Sequence, residues 1–114
     1  MKDEPLKSLH SKIFGTFHKN KDGVDRQKIL RNCKIGEKLI LKHVPSAYDK
    51  NAVEVCRTTG EQLGYLSREL AKELVYRLDR GSKVDVEISD LTGGGFFYKK
   101  SRGCNIKITK HKLK

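Results

Sequence analysis

The chain has 114 residues, 36% hydrophobic and 34% charged, enough for one domain with a modest core under a highly charged surface. Lys and Arg number 25 against 14 Asp and Glu, a net charge of +11, and residues 99–114 alone carry seven basic side chains and no acidic one. No apolar run approaches the roughly 18 residues of a membrane span, and the charge points to a polyanionic partner, nucleic acid before an anionic membrane surface.

In chain order, residues 1–11 are polar, contain Pro5 and read as a flexible lead-in. Residues 12–18 (KIFGTFH) hold Ile13, Phe14 and Phe17 and read as a first strand, followed by a KNKDG turn. Asp25 can cap a short helix over 26–32 whose Ile29 and Leu30 share a face with Cys33. Residues 38–44 alternate as a strand. A loop over 45–51 leads into residues 52–57, with Val53 and Val55 inward and Glu54 outward. Residues 62–66 return as the hairpin partner.

Ser67 then caps a helix over 67–79, where Leu70, Ala71, Leu74, Val75 and Leu78 recur at one-turn spacing. Arg77 and Arg80 lie at its last turn, and Gly81 can close it. Residues 83–91 alternate cleanly as a strand. Gly93, Gly94 and Gly95 form a tip, residues 96–98 resume an extended segment, and residues 105–109 supply the last strand. Five or six short strands with two helices make a mainly β chain. A small β-barrel suits them better than a parallel α/β sheet, which needs more helices. The domain is expected over 12–110, with a basic tail over 111–114.

Cys33, Cys56 and Cys104 are odd in number and scattered, and the first residues, MKDEPLKS, lack the apolar stretch of a secretory signal. Free thiols in a reducing, cytoplasmic setting are expected. The cysteines and His10, His18, His43 and His111 show no zinc spacing, so no metal or other cofactor is expected. No serine or cysteine stands in a nucleophile context, and no Lys-Ser/Thr pair follows the glycines to make a phosphate loop. Catalysis is not expected.

One constellation is more specific. Arg26-Gln27, Gly36-Glu37, Pro45, Tyr48-Asp49-Lys50-Asn51-Ala52-Val53 and Gly64-Tyr65-Leu66 occur in this order. In these motifs the chain resembles the HIRAN domain family over about residues 12–81, and more weakly beyond. The resemblance implies an OB-like β-barrel. Members of that family occur alone in bacterial and phage proteins and fused to SWI/SNF helicases, where the domain binds the 3′ end of single-stranded DNA.

Carried over by motif, Tyr48 would stack on a terminal base and Asp49 would accept a hydrogen bond from a sugar hydroxyl. Tyr65, Arg68 and Arg26 fall on the family's other binding positions. Where the helicase versions place an aromatic after the arginine, giving a second stacking face, this chain has Gln27.

Elementary chemistry agrees. An exposed aromatic is a sequence-tolerant stacking platform, and Arg26, Lys42, Lys50 and Arg68 can neutralise phosphates. Arg68 stands at a helix start, beside free backbone N–H groups. Asn51 reads as an Asx residue tying its turn. The expected partner is single-stranded DNA or a DNA 3′ end in repair, replication or a mobile element, with a helicase or nuclease acting in trans. An RNA-binding module of the same shape, or a protein-interaction adaptor, is the alternative.

Overall fold

A computed structural model describes residues 5–93 and 102–111. It contains strands β1 (Pro5–Lys12), β2 (Lys38–His43), β3 (Val53–Arg57), β4 (Gln62–Tyr65), β5 (Val84–Gly93) and β6 (Arg102–His111), with helices α1 (Arg26–Leu30) and α2 (Arg68–Asp79). The strands form one antiparallel sheet in the order β1-β6-β5-β2-β3-β4. The fold is mainly β with two helices, a curled OB-like sheet, as expected.

The curl brings the sheet's two edges together. Just past β1, Phe14 meets Tyr65 at the end of β4. Each backbone N–H donates to the other residue's carbonyl at 2.8 Å. Reciprocal bonding of this kind marks a hydrogen-bonded antiparallel pair. It ties the first edge strand to the last.

Alternation decides what faces inward. Val53, Val55, Leu63, Ile88, Ile106 and Ile108 are fully buried, each an inward position of its strand. From α1 come Ile29 and Leu30, and from α2 Leu70, Ala71 and Leu74, all in the same core cluster. Asp25 caps α1 by accepting the Gln27 N–H at 2.9 Å, and Ser67 caps α2 by accepting the Leu70 N–H at 3.2 Å. Gly81 follows α2 with φ of 74°, the left-handed conformation of a helix-terminating glycine.

All three cysteines are buried and unpaired. Burial pushes the Cys104 thiol up to about 12 and the Cys33 thiol up to about 11, and it also raises Cys56. They behave as core side chains rather than nucleophiles.

Three sequence expectations change. Within the lead-in, residues from Pro5 onward form β1, which pairs with β6 from Pro5↔His111 to Lys12↔Asn105. A polar strand of this kind is held by backbone pairing, and Pro at the head of an edge strand costs no ladder bond. Residues 12–18 are accordingly the exit from β1 and a turn, not the first strand. His111, assigned to the tail, is the buried last residue of β6, 7% exposed. Its Nε2 lies 2.8 Å from Asp85 Oδ2 and its carbonyl accepts from Arg77 Nη1 at 2.7 Å. Gly94, Gly95, the extended segment at 96–98 and residues 112–114 lie outside the described residues.

Candidate functional site

The 45–52 loop, the end of β4 and the start of α2 enclose an open groove of about 530 Å³. Tyr48, Asp49, Tyr65 and Arg68 all line it. Four of the residues singled out from sequence therefore converge on one cavity, of a size that suits a small ligand or the end of a chain.

The loop is pre-shaped by its own short polar side chains. Ser46 Oγ accepts from the N–H groups of Tyr48 and Asp49 at 3.3 and 3.1 Å, and Asp49 Oδ1 accepts from the Asn51 N–H at 2.9 Å. The turn is thus tied through Asp49 and Ser46, where the sequence had suggested Asn51. Asp49 Oδ2 faces Arg68 Nε at 3.7 Å, and Arg68 Nη2 donates to the Tyr48 carbonyl at 3.2 Å. Arg68 leans on the loop while its side chain stays 77% exposed, so it keeps donors for a ligand. Tyr48 lines the groove and is 92% exposed.

His43 latches the same loop to α2. Its Nε2 lies 2.8 Å from the Lys50 carbonyl and its Nδ1 lies 2.9 Å from Asp79 Oδ1. Both partners are acceptors, so only the imidazolium, with two N–H donors, satisfies both. The Lys50 carbonyl first, and the Asp79 carboxylate next, raise the His43 pKa above its ordinary 6.5. A folded value above the unfolded one makes the tether complete below about pH 6.5, and it fades as pH rises through the folded value. Thermal melts of wild type and His43→Gln between pH 5.5 and 8.5 should show a stability gap that narrows with rising pH. A gap independent of pH would mean the latch does not need the charge.

Tyr65 divides this groove from a second cavity of about 480 Å³, lined among others by Lys19, Lys21, Arg26, Glu54 and Glu61. Lys21, Glu54 and Tyr65 border both cavities, so the two lie side by side. Sheet register explains the arrangement. Lys42 stands opposite Glu54, Glu54 opposite Tyr65, and Tyr65 opposite Phe14. Directly opposed residues share a face, so a cation, a carboxylate and two aromatics cross the outer surface in one row. At about 4.8 Å per strand the row spans on the order of 14 Å.

Two motif residues are held by hydrogen bonds within the protein. Arg26 is 6% exposed. Its Nε donates to Asn20 Oδ1 at 2.7 Å, its Nη1 donates to the Gly15 carbonyl at 2.8 Å, and its guanidinium lies 5.4 Å from the Tyr65 ring centre. Gln27 Nε2 donates to the carbonyls of Thr16 and Arg102 at 2.9 Å, and its Oε1 accepts from the Arg102 N–H at 2.6 Å. Gln27 staples α1 to β6 and does not line either cavity. Lys42 and Lys50 are exposed beside the groove without lining it, and Lys110 of the C-terminal segment pairs with Glu73 at 2.8 Å.

Sequence reasoning missed Lys21 and Ser46 and gave Glu54 no role beyond facing outward. Among the described residues no three His, Cys, Asp or Glu side chains converge as a metal-ligand set.

Comparison with known proteins places this geometry in context. The HIRAN domain family model matches residues 7–92. The chain is 37% identical over 78 residues to the helicase-like transcription factor of Oryctolagus cuniculus, a match covering 68% of this chain and only 7% of that much longer protein. Among solved structures, the crystal structure of the HIRAN domain of human HLTF superposes with a TM-score of 0.71 at 22% identity, over 96% of this chain and 78% of that one. A crystal structure of a Lactobacillus plantarum protein gives 0.67 at 18% identity, over 96% and 98%.

Proposed function

The chain belongs to the HIRAN domain family, and from that premise we propose that it is a non-enzymatic module that binds single-stranded DNA, with the strand's 3′ end seated in the groove between Tyr48 and Tyr65. The observation that supports this most directly is the convergence of Tyr48, Asp49, Tyr65 and Arg68 on one cavity. Two aromatics offer stacking faces to successive bases, and Arg68 with nearby Lys21 offers cationic partners for phosphates. Asp49 keeps Oδ2 on the groove side while Oδ1 holds the loop, and so can accept from a terminal sugar hydroxyl. Arg26 and Gln27 serve from inside, by fixing Tyr65 and α1. A role in repair, replication or a mobile element follows on this reading, with the domain presenting strand ends to a helicase or nuclease in trans.

Fluorescence anisotropy of labelled single strands, carrying a free 3′-hydroxyl or a 3′-phosphate and read at two salt concentrations, tests the reading. Affinity should fall steeply with salt through counterion release. The blocked end should bind more weakly, because it loses a donor to a carboxylate and gains a like charge, a cost of about 1.5–3 kcal/mol. Tyr48→Ala should weaken binding by about 1–3 kcal/mol and leave the melting temperature unchanged, since its ring supports no core contact. Equal affinity for the two ends would reduce the domain to a general strand binder. No binding at low salt would end the reading.

A further inference from the structure

Glu54 is the anomaly of the groove. It sits half-buried on β3, borders both cavities, and stands between Lys42 and Tyr65 in the cross-strand row. Among the described residues its carboxylate forms no salt bridge within 4 Å, and its hydrogen-bond contact is the Cys56 thiol at 3.9 Å. An anion here repels phosphate, as do Asp49, Asp22 and Glu61 on the same two cavities, but Asp49 and Asp22 hold their own turns and Glu61 pairs with Arg57, whereas Glu54 has no such employment. A backbone-binding surface alone has no use for it. We propose that Glu54 reads the base edge of the nucleotide stacked on Tyr65 and selects cytosine over uracil or thymine. This rests on the reading that the groove takes a single DNA strand.

The chemistry follows from the inventory of donors. An ionised carboxylate only accepts hydrogen bonds. Cytosine presents an N4 amino donor where thymine and uracil present an O4 acceptor. A base lying against Tyr65 has its edge beside the directly opposed residue, whose Cβ is about 5 Å from that of Tyr65. With cytosine the carboxylate receives a charge-assisted bond from N4, whereas uracil sets its O4 acceptor at that position and can donate only through N3–H, one atom further along the edge. Repulsion of phosphate acts in the same sense, because it turns the backbone toward Lys21 and Arg68 and the base edge toward Glu54.

The test compares short labelled strands of deoxycytidine and deoxyuridine, binding to wild type and to Glu54→Gln at pH 7.5. Deoxyuridine removes the thymine methyl as a variable. Wild type should prefer the cytosine strand by about tenfold, toward the lower end expected of a carboxylate contact to a base edge. Glutamine both donates and accepts, so the preference should collapse to within about twofold while affinity for the uracil strand rises. A wild-type ratio near one overturns the proposal. So does an unchanged ratio in Glu54→Gln with both strands tightened equally, which would make Glu54 a general electrostatic brake. Those outcomes leave the strand-binding reading intact, whereas failure of both strands to bind wild type at low salt removes the groove assignment and this inference together. Matching melting temperatures of the two proteins show that the half-exposed substitution has not disturbed the fold.

Discussion

Gly64→Ala should lower stability by about 3 kcal/mol, the upper part of the range for overpacking a filled site. In a domain of this size that is a fall in Tm on the order of 10–20 °C. A Cβ at Gly64 would sit on the Phe14 carbonyl oxygen and 2.7 Å from Ile13 Cγ2. Backbone cannot move aside as a flexible side chain does, and this carbonyl is the acceptor for the Tyr65 N–H. The methyl therefore pushes on the pair of hydrogen bonds that joins the sheet's two edges. Hydrogen exchange gives a local readout. The Phe14 and Tyr65 amides should exchange faster in the variant by more than amides in β5 and β6 do. Binding should weaken too, since Tyr65 rides on the same bridge. A Tm within two or three degrees of wild type, with both amides still protected, would show that the edges are joined by something other than this contact. The motif glycine before Tyr65 thus has a structural reason: only a residue without a side chain lets Ile13 and Phe14 cross there.

That crossing also marks the boundary of what the sequence made legible. Helix α2 could be located almost to the residue, because Ser67 announces its start and five apolar residues repeat at one-turn spacing. Strands β2, β3 and β5 were likewise readable, since each has one buried face and alternates accordingly. Strand β1 was not. Its sequence, PLKSLHSK, has a weak pattern, and its stability comes from hydrogen bonds to β6, a partner about a hundred residues away. The nearby apolar residues at 13–17 drew the strand assignment to themselves, although two of them, Phe14 and Phe17, are 43% and 65% exposed. For the site, motif spacing brought Tyr48, Asp49, Tyr65 and Arg68 to one groove. It could not reveal Lys21, which arrives there only because the 19–25 turn docks against β4 through Asn20 Nδ2, donating to the Gln62 carbonyl at 3.0 Å. Nor could it show which way Arg26 and Gln27 point, because side-chain direction at a helix start depends on what packs above it.

Arg26 gives the sharpest test of that last distinction. If it were a phosphate ligand, as its charge and motif suggest, its removal would spare the fold and reduce the salt dependence of binding. The geometry requires the opposite. The guanidinium is buried, and its fork spans two acceptors on different segments, the Gly15 carbonyl after β1 and the Asn20 side chain in the turn that follows. It also lies against the Tyr65 ring. Arg26→Met keeps the apolar stem but leaves both acceptors without their donor. A hydrogen bond to a charged group contributes about 1.5–3 kcal/mol, and relaxation around the site returns some of it, so the net loss should be about 3 kcal/mol. Arg26→Lys should recover only part of this, because a point-like ammonium cannot hold both acceptors in the geometry of a planar fork. Binding separates the roles further. Taking one cation away from a phosphate of a single strand reduces the slope of log affinity against log salt by about 0.7. Arg68→Met, on the exposed rim, should show that reduction at an unchanged Tm. Arg26→Met, measured at a temperature where it is fully folded, should show a smaller change in slope together with weaker stacking through a loosened Tyr65. Wild-type stability combined with a slope reduced by the full increment of about 0.7 would return Arg26 to the nucleic-acid contacts and leave its inward hydrogen bonds without energetic weight.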